Sequence, residues 1–176
     1  KAQLTTFLPT LENLQGVNRV VVVDNGSTDG TQDLMKQYPQ VFFIENKANI
    51  GLIKALNKGI MFAVNNRAAG VIIASPYILF DQGNLVPLTK NKDAMVAPLI
   101  GAKGKSHQQY LIGGMINRFG APSLSWVDSK PPKSYNKRPD FLPLYCVAIP
   151  AKILYRVGFL NEGYTHWFAD VDYSKQ

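Results

Sequence analysis

The run Val20-Val21-Val22-Val23-Asp24-Asn25-Gly26-Ser27-Thr28-Asp29-Gly30-Thr31 constrains this chain more than any other segment. Consecutive β-branched apolar residues favour a strand buried on both faces, the pattern of a parallel sheet. The run ends in a carboxylate, an amide, a glycine and two hydroxyls. Open α/β sheets take up their ligands there, beyond the carboxyl ends of the strands. The same residue types also close ordinary turns, with Gly26 bending the chain and Ser27, Thr28 or Asp29 capping a helix over 29–37.

The segments that follow repeat the alternation. Leu4, Phe7, Leu8, Leu11 and Leu14 have helical spacing over residues 4–14, with Pro9 bending or trimming that helix. Strands are expected at 19–23, 41–45 and 71–74, and a long helix at 52–65 with Leu52, Ala55, Leu56, Gly59, Ile60 and Ala63 inward. Strand, helix and strand joined by short loops predict βαβ units and a mostly parallel sheet flanked by helices. A short strand is expected at 94–97, an irregular stretch at 101–140, a strand at 142–149 and a helix at 151–157 stopped by Gly158.

Bulk properties narrow the function classes. A chain of 176 residues with 46% hydrophobic and 18% charged side chains suits one α/β domain and argues against disorder. No apolar run is long enough for a transmembrane helix. Cys146 is the only cysteine, which excludes an internal disulfide and points to a reducing, cytoplasmic setting. The net charge of +7 is spread along the chain, with a modest cluster at Lys130, Lys133, Lys137 and Arg138. It is not interleaved with aromatics as in a nucleic-acid reader, so no nucleic-acid partner is expected, whereas an anionic membrane surface would suit it. His107 and His166 are too isolated to read as a zinc site.

Three segments together resemble glycosyltransferase family 2, inverting enzymes with the GT-A (Rossmann-like) nucleotide-binding fold. The first is Val22-Val23-Asp24-Asn25-Gly26-Ser27-Thr28-Asp29-Gly30-Thr31. The second, Asn49-Ile50-Gly51-Leu52-Ile53-Lys54-Ala55-Leu56-Asn57-Lys58-Gly59-Ile60, is similar to a motif of rhamnosyltransferase-like members. The third runs from Val157-Gly158-Phe159-Leu160-Asn161-Glu162-Gly163-Tyr164 to Phe168-Ala169-Asp170-Val171-Asp172-Tyr173. The resemblance implies that residues 1–176 form a single nucleotide-sugar-binding domain lacking the family's first strand and C-terminal part.

It also implies roles. Asp24, Asn25 and Ser27 would meet the nucleotide of a UDP- or dTDP-type sugar donor, with Asn49 and Lys54 lining the same pocket. Asn49 as a helix cap and Lys54 as a solvated lysine are the plainer alternatives. Asp170 would be the general base that takes the proton of an acceptor hydroxyl, or a cap of the helix that begins there. Asp172 lies in the same first turn. His166 and Trp167 would line the donor-sugar or acceptor pocket, or pack structurally.

The chain departs from the family at two places. The family's third strand ends in a metal-binding aspartate, and here Ala74-Ser75-Pro76-Tyr77 puts Tyr77 in its place. A divalent cation (Mn or Mg) is the family's cofactor, but a phenol is a poor ligand for it, which leaves Asp81 as a substitute. Ala169 stands where the family carries Glu. The implied activity is transfer of a sugar to a glycan or lipid-linked acceptor in bacterial surface polysaccharide synthesis, at the inner face of the cell membrane. A catalytically degenerate binding module is the second reading, and a sugar nucleotidyltransferase the third.

Overall fold

The computed structural model describes residues 1–12, 14–80, 84–103, 108–127, 138–165 and 168–176. Strands β1 (Val21–Asp24) and β2 (Phe42–Glu45) pair in parallel, from Val21 opposite Phe42 to Asp24 opposite Glu45. Helix α2 (Thr31–Met35) forms the crossover that a parallel pair requires. In front of them the predicted single helix divides into α1 (Ala2–Phe7) and a 3₁₀ turn, Leu8–Leu11. Pro9 lies in the first turn of that 3₁₀ segment, where its missing N–H costs nothing. Leu8, Leu34 and Met35 bury together and fasten α2 to this N-terminal segment.

Neither Ser27 nor Thr28 caps α2. Nor does any other side chain: the N-cap is Gly30, and Asp29 before it accepts the Thr31 N–H at 3.2 Å and the Thr31 hydroxyl at 2.6 Å. The Ser27 N–H is already engaged by Asp24, which closes the turn earlier.

Helix α3 (Leu52–Asn65) packs on both β1 and β3 (Gly70–Ala74). Its buried residues are Ile53, Ala55, Asn57 and Ile60, whereas Leu52, expected inward, is exposed. Strand β3 pairs with β7 (Cys146–Pro150), and the pairing is antiparallel, with Gly70 opposite Pro150 and Ala74 opposite Cys146. The mostly parallel sheet is therefore not confirmed: among the described residues β1–β2 is the parallel pair of strands, and the other strand pairs are antiparallel. All five residues of β7 are buried. A continuous apolar run reports burial on both faces, which an antiparallel strand can share, and carries no information on the direction of its neighbour.

Between β3 and β7 lie the short helix α4 (Val86–Thr89) and three antiparallel strands, β4 (Ile100–Lys103), β5 (Gln108–Ile116) and β6 (Pro122–Val127). The irregular stretch expected at 101–140 thus holds a sheet. The strand expected at 94–97 reduces to one bridge, Val96 to Ala148. Gly114 explains why the sheet is hard to see. The Phe141 ring lies within 2.0 Å of where a Cβ would stand, so the strand needs a residue without a side chain where a strand pattern would show an apolar one.

Helices α5 (Ala151–Val157) and α6 (Ala169–Lys175) complete the fold. The main core joins Ile53 and Ile60 of α3, Ile73 of β3, Val147 and Ile149 of β7, Ile153 and Leu154 of α5, and Ala169 and Tyr173 of α6, with Leu160 between the last two helices. No helix among the described residues is long and apolar enough to cross a membrane.

Candidate functional site

Parallel pairing brings the loops after β1 and β2 to one edge, and their polar side chains interlock there. Asp24 is buried, and its carboxylate accepts the Ser27 N–H at 3.2 Å and Gln32 Nε2 at 3.2 Å. Gln32 also donates to the Ser27 carbonyl at 2.8 Å and to Glu45 Oε1 at 3.1 Å, joining both strand ends. Asp24 thus shapes its own loop.

Asn25 reaches across to the second loop. Its Nδ2 donates to Asn49 Oδ1 at 2.9 Å, while its Oδ1 accepts the Ile50 N–H at 3.0 Å and Asn46 Nδ2 at 3.3 Å. Asn49 Oδ1 also accepts the Gly51 N–H at 2.9 Å, closing the turn before α3 without capping that helix, whose N-cap is Gly51. Lys58 donates to Asn46 Oδ1. Asn25 and Asn49 therefore meet, as a shared pocket requires, and the exposed Asn49 keeps its Nδ2 hydrogens for a ligand carbonyl or hydroxyl. Asn46 was not anticipated from the sequence, although an asparagine directly after an expected strand is a signal of the same kind as Asn25.

Beyond this network a cleft of 280 Å³ opens along α3, lined by Ile50, Lys54, Asn57, Lys58, Met61, Phe159 and Glu162. Lys54 and Lys58 stand one helical turn apart and give it positive charge. A larger hollow of 330 Å³ lies at the opposite end of the parallel pair, beside Val20 and Val41, with Glu12 as its charged lining residue. Ligands of open α/β sheets sit beyond the carboxyl ends, so the smaller, cationic cleft is the candidate.

Asn57 fixes the far wall of this cleft. It is buried, donates to the Leu160 carbonyl at 2.9 Å and Glu162 Oε1 at 3.0 Å, and accepts the Leu160 N–H at 3.0 Å. In the sequence Asn57 stands within the second motif with no role attached to it. The signal was a polar residue between Ile53 and Ile60 on the apolar face of α3.

The same wall leads to Asp170. The Tyr173 hydroxyl donates to the Gly158 carbonyl at 2.9 Å, tying α6 to the 158–162 turn. Asp170 lies in the first turn of α6, half-buried, and accepts the Val171 N–H at 2.9 Å. Burial pushes its carboxyl above the usual range, with backbone hydrogen bonds opposing part of that shift. Ala169, where the family carries Glu, is buried in the main core. Phe168, just before it, is exposed and holds a left-handed φ of +69°. Asp172 pairs within its own helix, accepting from Gln176 Nε2 at 3.1 Å.

His166, Trp167 and Asp81 lie outside the described residues. Tyr77 is exposed, and the end of β3 offers only the hydroxyls of Ser75 and Tyr77. No group of three His, Cys, Asp or Glu residues that could hold a metal occurs among the described residues. Those residues do not fit a divalent cation.

Residues 5–75 match the model for glycosyl transferase family 2. The match covers less than half of the chain, and over that span it supports an assignment to glycosyl transferase family 2. Asp24, Asn25, Ser27, Asn49 and Lys54 all fall inside the family 2 segment, and Tyr77 and Asp170 beyond it. Among curated proteins the chain is similar to N-acetylglucosaminyl-diphospho-decaprenol L-rhamnosyltransferase from two strains of Mycobacterium tuberculosis, at 27% identity over 185 residues. The alignment covers 87% of this chain and 58% of each relative, so the chain spans little more than half the length of the relatives it matches.

Proposed function

We propose that this protein is an inverting glycosyltransferase using a nucleotide-diphosphate sugar, of UDP or dTDP type, as donor. The observation that carries this reading is the Asn25–Asn49 network at the carboxyl ends of the parallel pair, inside the family 2 span. Asn25 and Asn49 would face the base and ribose, and Asp24 would hold the loop that presents them, with Ser27 in that loop. Lys54 would meet the negative charge of the diphosphate across the cleft. The name of the mycobacterial relatives supports a lipid-linked glycan acceptor, and with it surface polysaccharide synthesis on the cytoplasmic face of the membrane.

In the reaction, Asp170 accepts the proton of the acceptor hydroxyl as that oxygen attacks the anomeric carbon. The bond from that carbon to the diphosphate oxygen breaks, and the nucleoside diphosphate leaves with the bonding electrons. A carboxyl held above its usual range is a stronger base once ionised. Asp172, His166 and Trp167 are proposed for the acceptor or donor-sugar side. Divalent-cation assistance would need Asp81.

Tyr77 and the buried Ala169 favour one second reading, a nucleotide-sugar-binding module without catalysis. Transfer from a panel of UDP- and dTDP-sugars to a polyprenyl-diphosphate-linked N-acetylglucosamine separates the two. Asp170→Asn is expected to lower transfer by about 10²–10⁴-fold with nucleotide binding intact. Undiminished transfer by that variant contradicts Asp170 as the base, and nucleotide binding by the unaltered protein without any transfer favours the module.

A further inference from the structure

The antiparallel sheet β4–β5–β6 takes no part in the proposed reaction, yet its β5–β6 turn carries the most exposed aromatic ring among the described residues, on a chain of net charge +7. Residues 100–140 contain Lys103, Lys105, Arg118, Lys130, Lys133, Lys137 and Arg138 against Asp128 and Asp140, five of the seven net positive charges. The β5–β6 turn is built to hold one side chain outward. Asn117 Oδ1 accepts the N–H groups of Phe119 at 2.9 Å and Ala121 at 3.0 Å, and the Asn117 N–H donates to the Ala121 carbonyl at 3.0 Å. Phe119 at its tip is 80% exposed, the highest value among the large apolar side chains described. The Arg118 guanidinium lies 4.7 Å from the centre of its ring. Met115, Leu124 and Trp126 on the adjoining strands are exposed as well.

We infer that the β5–β6 hairpin is a membrane-contact element, with Phe119 entering the boundary between headgroups and acyl chains of an anionic bilayer and Arg118 held at the headgroups. An aromatic tip beside a guanidinium, on a chain of net charge +7, has the chemistry of an interfacial anchor: apolar burial supplies depth, and charge complementarity to anionic lipid supplies attraction. This deepens the lipid-linked acceptor reading by naming the surface that would bring the enzyme to such an acceptor. The net charge of +7 on the chain favours anionic lipid over a neutral protein partner.

The test is sedimentation of the intact protein with vesicles of phosphatidylcholine alone or mixed with phosphatidylglycerol, without donor or acceptor. Binding to the anionic vesicles is expected, weakened at high salt. Phe119→Ser should lower it about tenfold or more, with an unchanged melting temperature. Tyr155→Ser, which removes a ring exposed on α5 instead, should bind as the unaltered protein does. Failure of the unaltered protein to bind, undiminished binding by Phe119→Ser, or equal loss in Tyr155→Ser overturns the inference. So does a Phe119-dependent dimer or RNA complex in place of vesicle binding. No sugar donor enters this experiment, so its failure leaves the transferase reading standing, and failure of that reading leaves vesicle binding intact.

Discussion

Residues 20–65 and residues 100–127 both form strands, but they are held together by different means. In the first region, polar side chains at the strand ends do the joining: Asp24 to Ser27, Asn25 to Asn49, Gln32 to Glu45. In the second, fit between backbone and ring joins the sheet to the chain that covers it, with Phe141 seated over Gly114. A polar network at a strand end can be spent on a ligand; a ring over a glycine can only be structure. Substitutions in and around the polar network of the first region should therefore affect nucleotide binding and transfer, and those that displace Phe141 from Gly114 should affect stability alone.

The largest effect is expected from pH. With the Asp170 carboxyl above its usual range, transfer should rise about tenfold per pH unit until that group ionises, and then level off. The sign for stability is opposite. A raised folded-state pKa means that ionisation costs the folded state, so stability falls as pH rises through the interval between the unfolded and folded values. Asp170→Asn should accordingly melt no lower than the unaltered protein at neutral pH, which a thermal scan beside the rate profile would check.

Gly26→Ala comes next. Gly26 has φ +81°, and an added Cβ would stand 2.7 Å from the Ala48 backbone, so strain and clash combine. A loss of about 2–4 kcal/mol is expected by denaturant titration, together with loss of nucleotide binding as the two loops part. Asn57→Ala removes three hydrogen bonds and leaves both polar groups of Leu160 unpaired in a buried place. About 2–3 kcal/mol should be lost, and transfer should fall further than nucleotide binding because the wall leading to α6 is what moves. Gly114→Ala in the second region should cost about 1–3 kcal/mol through displacement of Phe141, with kinetics unchanged for the protein that remains folded. A kinetic defect in Gly114→Ala would break the comparison. Smallest of all is the response of Cys146, which is fully buried with its thiol pushed up to about 11; it should stay unreactive to thiol reagents until the protein unfolds.

The same contrast explains what could be read from the sequence. β1, β2 and α3 were legible because β-branched runs and helical spacing are local, and Asn25 and Asn49 stood out as polar residues at the ends of such runs. The antiparallel partner of β3 was not legible, since Cys146–Pro150 is apolar throughout and looks the same beside a neighbour of either direction. The β4–β6 sheet was missed because Gly113 and Gly114 are meaningful only once Pro139 and Phe141, distant in sequence, are known to lie over them. Asn57 was visible as a residue and silent as a role, because its partners Leu160 and Glu162 lie more than a hundred positions away.

The most direct test of the nucleotide site is calorimetric titration of UDP and dTDP, with and without manganese, into the protein and into Asn49→Ala. Asn49 is exposed, so its loss should leave the fold intact. Binding of one of the two nucleotides, weakened about tenfold or more in Asn49→Ala, is the predicted result. No binding of either nucleotide, or equal affinity in the variant, would contradict a donor site at the carboxyl ends of β1 and β2.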